Sequence, residues 1–432
     1  MGELRAAPAE RLLCAEGHTA LFFCGFMVAT SSTPITKLAD IVSKSWRRLR
    51  GSHVWNSNVW SASALADLNP LTSSVWLSAT VLLLLAARVG HLDKSLLMSL
   101  LALGALCQRL FAVVEQLTLC CTGPAQEALV LAVLGKVELV IFSSVALQQG
   151  ELDLVEVALL GSALFALVAV SGVSLLISAI ASPKHEVLFD SPRASLGVIN
   201  LAAGGAVFPA LLIATSTCTE RHGKHRCTDA TGKALQLSQW CSGIMLVMYC
   251  LWLWRCGPTQ GSREVATGSG NERRRAAVVL LCWVMLLCAA AGPVSKAVLT
   301  ALKSDFRFDQ QARSLVAAII IPAAVNLGDL TSAALHAWRG RIDAAVRVSV
   351  GSAVQVVLCL LPTAVFGAAK HAVALSLTST TTHAAALLLA SIVCTRALGD
   401  RGHTSAVKGA SLLGAYAMLA AFFWAEGQKT TS

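Results

Sequence analysis

Glu138 and Asp329 each place a carboxylate inside a stretch otherwise apolar enough to cross a bilayer. A charged side chain at bilayer depth costs roughly 3 kcal/mol on insertion scales, so each acid is a functional candidate by default. Each is followed by a short polar turn and a second apolar stretch carrying Gly-Ser, at Gly161-Ser162 and Gly351-Ser352. Carboxylate, amide and hydroxyl oxygens gathered in this way suit a hard cation or a proton. Matching features in two halves of a chain point to an internal repeat with the site at the repeat interface.

The elements that must position these acids are membrane helices. Over 432 residues the chain is 55% hydrophobic and 13% charged, with mean hydropathy +0.67, whereas soluble domains carry about a quarter charged residues. The apolar residues fall in runs of about 20, the length that crosses a bilayer as a helix. Eleven spans are expected, at 75–91, 94–118, 125–148, 153–182, 194–216, 236–255, 274–303, 311–339, 342–368, 373–397 and 404–425. Residues 1–74 form an N-terminal extension, mostly cytosolic, whose apolar stretch 19–31 is too short to span. The fold expected is an all-α polytopic membrane protein: one extra N-terminal helix and two inverted five-helix repeats. An odd number of spans per half forces the inversion. The first helix and first repeat occupy 75–256, a basic Gly/Ser/Arg-rich linker 257–273, and the second repeat 274–427.

Orientation follows from the loops. The formal charge of +10 is spread over alternate loops, which carry Lys44, Arg47, Arg48, Lys184, Arg193, Arg273, Arg274, Arg275, Arg339, Arg341, Arg396 and Arg401. That is the positive-inside pattern, and it places the linker 257–273 in the cytosol. No single basic patch forms, which argues against a nucleic-acid partner; the bilayer is the partner expected. The opposite side holds loop 217–234, where Cys218 and Cys227 bracket His222 and His225. Zinc would suit those residue types, but a disulfide in an oxidising lumen is the simpler expectation. No phosphate loop, His-Glu-x-x-His or Cys-x-x-Cys is present.

Three segments are more specific: Pro322 to Asp329, Ala337 to Asp343, and Gly351-Ser352-Ala353-Val354-Gln355 with Pro362. Together they resemble the second repeat motif of the vacuolar calcium/proton exchangers, within the cation/calcium antiporter superfamily. Asp329 and Gly351 are 22 positions apart, as in that motif. A first copy runs from Glu138 through Gln148-Gln149-Gly150-Glu151 to Gly161-Ser162. The family's Ser/Thr-Glu landmarks fall at Glu115, 23 positions before Glu138, and at Ser295-Lys296, with Lys296 33 before Asp329. The resemblance covers about 75–425. It implies an exchanger fold in a vacuolar or other endomembrane, with calcium or another cation moved against protons. It also implies a cation shell from Glu138, Asp329, Asn326, Gln355 and Ser352, with Ser162 alongside.

The departures bear on function. The first-repeat Asn is replaced by Gly135 with Lys136 beside it, an Asn further on by Ala166, the second-repeat Glu by Asp329, and the acid of the second landmark by Lys296. A lysine close to an acid occupies the charge a cation would meet, which counts against calcium. The expected function is therefore cation/proton antiport with altered or lost calcium selectivity. The alternative is a membrane isomerase or cyclase on the same scaffold, with Glu138, Asp329, Lys296 and Glu115 as acids and bases on a lipophilic small molecule. A plain structural role would pair each acid with Lys136 or Lys296. His336 is expected at the surface, and Glu151, Asp153 and Glu156 at a helix start where acids suit the dipole.

Overall fold

A backbone in hydrocarbon must satisfy its own N–H and C=O groups, and the apolar runs do so as helices. The computed structural model describes residues 96–121, 124–181, 186–187, 190–215, 220–221, 224–225, 228–256, 270–305, 310–370, 377, 381–399, 402–403 and 406–429. All of these fall within one compact unit, Ala62–Ser432. The first repeat is built from α1 (Leu96–Leu119), α2 (Pro124–Leu134), α3 (Val137–Gln148), α4 (Leu152–Leu164), α5 (Ser171–Ala181), α6 (Asp190–Thr215) and α7 (Thr228–Cys256). The second contains α8 (Gly270–Asp305), α9 (Gln310–Leu315), α10 (Ile321–Val325), α11 (Leu327–Trp338), α12 (Ile342–Gln355), α13 (Leu361–Lys370), α14 (Thr381–Gly399) and α15 (Ala406–Lys429). Turns of π-helix at Phe165–Val170, Val316–Ile320 and Val356–Leu360 join α4 to α5, α9 to α10 and α12 to α13.

Among the described residues nine helical stretches are long and apolar enough to cross a membrane, and one bent pair, Ala312–Val325 with Leu327–Trp338, makes ten. Ten spans are what two five-helix repeats require. The expected span 75–91 and extension 1–74 lie outside the described residues, as do Cys218, Cys227 and most of the linker. Two-residue strands pair Glu186–Val187 with Gly402–His403 and Glu220–Arg221 with Lys224–His225.

The repeats pack reciprocally. Helix α1 runs along its counterpart α8, and α6 along its counterpart α14. The contact of α3 with α8 is answered by α11 with α1, and that of α5 with α15 by α7 with α13. Such swapped pairs are what a pseudo-two-fold axis between inverted repeats produces. The spans Leu152–Ala181 and Ile342–Ala368 are the most enclosed of the nine continuous ones, so the Gly-Ser motifs of both repeats lie at the centre of the bundle.

Both motif turns close in the same way. Glu151 N–H bonds Ala146 O and Gly150 N–H bonds Leu147 O; Arg341 N–H bonds His336 O and Gly340 N–H bonds Ala337 O. This is the Schellman helix end, which needs a residue in the left-handed region. Gly150 (φ 76°) and Gly340 (φ 72°) supply it.

Candidate functional site

The acids sit at helix breaks. In the first repeat α2 stops at Leu134, Gly135 and Lys136 form a turn, and α3 carries Glu138 in its first turn. In the second, Asn326 is both the end of α10 and the cap of α11, and Asp329 lies in the first turn of α11. The chain bends by 55° at Asn326. Pro322, at the start of α10, cannot donate to the preceding turn. Each carboxylate therefore lies at the positive end of a helix dipole.

The second-repeat acid is not free. Lys136, from the first repeat, reaches across to pair with Asp329 and donates a second bond to Asn326 Oδ1 at 2.7 Å. Ser352 Oγ–H donates to Asp329 Oδ2 at 2.8 Å. Asn326 Nδ2 donates to Ser162 Oγ and to Pro322 O, both at 2.7 Å. The cluster is closed to solvent: Asn326 and Ser162 are fully buried, and Asp329 and Lys136 are 3% and 4% exposed. A buried pair of this kind is held by its extra hydrogen bonds, because its own attraction does little more than repay desolvation.

Glu138 differs. It is equally buried, at 4% exposure, yet among the described residues no donor side chain bonds its carboxylate. Lys136 stands two positions away on the chain but turns to Asp329. Positions i and i+2 at a helix start do not face each other.

Gln355 lies beside this cluster. Its amide donates to Leu131 O at 2.8 Å, at the end of α2. A Cβ on Gly135 would stand 3.0 Å from Gln355 Oε1 and 2.4 Å from Leu131 O. The Leu131 carbonyl, which is backbone and cannot swing aside, excludes a side chain at position 135, and the Gln355 amide tightens the same space.

Of the residues expected from sequence, Glu138, Asp329, Asn326, Ser352 and Ser162 converge, with Gln355 adjoining. Lys296 does not: it is exposed on α8, one residue past Ser295, which is the buried one. It is not the counter-charge of Asp329. Glu115 also lies apart, 3.7 Å from His336 Nε2. His336 is only 15% exposed, so it is not the surface residue expected. Of the acids at the start of α4, Glu151 makes no side-chain cap bond; it bridges Lys303 at 2.9 Å and Arg313 at 2.5 Å. Glu156 is buried and lies 3.3 Å from His383 Nδ1. That pairing had no signal in the sequence, since the partners are 227 positions apart. Among the described residues no group of three or more His, Cys, Asp or Glu side chains is arranged to hold a metal.

Comparison with known proteins agrees with this architecture. The family described as sodium/calcium exchanger protein matches residues 95–256 and 276–425. Vacuolar cation/proton exchanger 1b of Oryza sativa subsp. japonica is 26% identical over 379 residues, covering 84% of this chain and 83% of the relative. Vacuolar cation/proton exchanger 5 of Arabidopsis thaliana is 26% identical over 341 residues, 76% of this chain and 75% of the relative. Among solved structures, native YfkE superposes with TM-score 0.63 at 21% identity, over 81% of this chain and 99% of its own. The H+/Ca2+ exchanger CAX gives 0.59 at 14% identity, over 82% and 92%. These two likenesses concern the fold. With a family match across both repeats, the chain is an exchanger-like integral membrane protein and belongs to the sodium/calcium exchanger protein family.

Proposed function

We propose that this protein is a cation/proton antiporter of a vacuolar or other endomembrane, working by alternating access of its two repeats around Glu138. The observation that carries the reading is the Glu138 carboxylate itself. It is buried at a helix break between the repeats and lacks the bonded counter-charge that Asp329 has. A carboxylate in that position exchanges a proton for a cation as the site opens to one side and then the other. Its curated relatives, named as vacuolar cation/proton exchangers, support both the activity and the membrane. The isomerase or cyclase reading would need the acids to line a space for an organic molecule. Lys136, Asn326, Ser162 and Asp329 close on one another instead, and nothing observed favours that reading.

Purified protein in sealed proteoliposomes with an internal pH dye tests the proposal. An imposed proton gradient should collapse when a transported cation is added, and Glu138→Gln should stop this while the variant stays monodisperse. Undiminished flux in Glu138→Gln would remove Glu138 from the mechanism.

A further inference from the structure

We propose that Lys136 is a tethered counter-cation that sets the charge of the cargo, so that the centre takes a monovalent inorganic cation and excludes divalent ones. The inference rests on the antiport reading and adds the substrate class to it.

Most of the oxygen ligands of the second-repeat half are already engaged by the protein itself, which leaves Asp329 Oδ1 and Gln355 Oε1 and falls well short of a calcium shell. Asp329 Oδ2 already receives Lys136 and the Ser352 hydroxyl. Asn326 Oδ1 receives Lys136, and both of its amide bonds run to Ser162 and Pro322. Gln355 spends its amide nitrogen on Leu131 O. Calcium needs six to eight oxygen ligands, several of them charged. Three of the five residues the family resemblance assigns to that shell are bonded to Lys136 or to its partner Asp329, or are that partner.

Charge points the same way. Lys136 is bonded to Asp329, and the three buried charges of the centre, Lys136, Asp329 and Glu138, sum to minus one when both acids are ionised. Adding a monovalent cation brings the buried group to neutrality, whereas a divalent ion leaves a full positive charge in a dry site. An uncompensated buried charge is the costly outcome. Displacing the lysine does not help the divalent ion, because the ammonium is covalently attached and remains within the same buried volume. Nor can Lys136 turn readily to Glu138 two positions along without leaving the bond to Asn326. A divalent ion would therefore have to share the centre with a fixed positive charge.

The test uses the full chain in proteoliposomes, with sodium, potassium and calcium added singly against an imposed proton gradient. Wild type should move protons with sodium or potassium and not with calcium. Lys136→Gln removes the charge and keeps a polar side chain, and should raise the calcium-to-monovalent rate ratio by at least about tenfold. Lys136→Arg keeps the charge and should keep the monovalent preference. Calcium-driven flux in wild type at or above the monovalent rate would overturn the inference while leaving antiport intact. So would an unchanged preference in an active Lys136→Gln. If no cation moves protons in a monodisperse wild-type sample, the antiport reading falls and this one with it. Should Lys136→Gln not fold, the wild-type ranking of the three cations decides.

Discussion

At the scale of single residues, one lysine changes the character of the centre. Lys136 is next to the position where the resemblance expects an asparagine, and it turns away from the acid nearest in sequence to pair with the one 193 positions off. Its energetic weight can be tested without transport. Removing one partner of a buried pair costs about 3–5 kcal/mol, while replacing both by neutral groups costs little. Lys136→Met should thus lower the thermal midpoint in detergent sharply, as should Asp329→Asn to a smaller extent, because its amide still accepts from Lys136. The double variant should recover much of the loss, and a cycle of the four proteins measures the coupling. Additive losses would show that the pair contributes nothing beyond its separate members. The acids, Asn326 and Ser352 were legible in the sequence, because a polar group inside an apolar run stands out. The direction in which Lys136 points was not. Spacing placed it by Glu138 and offered Lys296 equally, and only the crossing of the repeats brings Lys136 to Asp329 and leaves Lys296 outside.

At the scale of elements, two glycines that look equivalent in sequence do different work. Gly161 and Gly351 occupy the same motif position on α4 and α12. A Cβ on Gly161 would stand 2.2 Å from Ala318 O and 2.7 Å from Pro322 Cγ, whereas one on Gly351 would meet nothing within 4 Å. Helix α4 therefore presses its backbone onto the π turn that leads into α10, and this close approach brings Ser162 within reach of Asn326. The neighbour on the other side is backbone, so it cannot swing aside. Gly161→Ala should cost about 1–3 kcal/mol through overpacking and should impair flux by displacing the helix break. Gly351→Ala should be neutral or stabilising by up to about 1 kcal/mol, from helix propensity alone. Equal thermal midpoints for the two variants would contradict the packing argument. The Gly-Ser pairs mark both central helices from sequence, but which of the two is in backbone contact is a property of the partner helix. That partner carries a π turn and a proline in the second repeat, and the break facing α12 in the first is Gly135-Lys136. Period and composition do not report such differences.

At the scale of the whole molecule, the reciprocal contacts and the two Schellman turns bear on topology. Gly150 and Gly340 end equivalent helices with the same bonds and nearly the same φ, so their turns are copies of one device. Five spans in each repeat would put these copies on opposite faces of the membrane, and from the loop charges we expect Arg339 and Arg341 on the cytosolic one. Ten of the eleven expected spans are present among the described residues, legible in the sequence because lipid admits only long apolar helices. The inversion was legible as well, because it follows from an odd count. Bridges such as Glu151 to Lys303 and Arg313 were not, since three separate helix ends must first be brought together. The inversion is directly measurable with a membrane-impermeant thiol reagent, by placing a single cysteine at exposed Gln148 or exposed Arg339 in a variant whose accessible native cysteines have been replaced. In sealed vesicles with the cytosolic face outward, Arg339→Cys should label at once. Gln148→Cys should label only after detergent opens the vesicle. Labelling of both positions from one side would break the inverted repeat, and without inversion the two helix breaks could not meet face to face at Lys136 and Asp329.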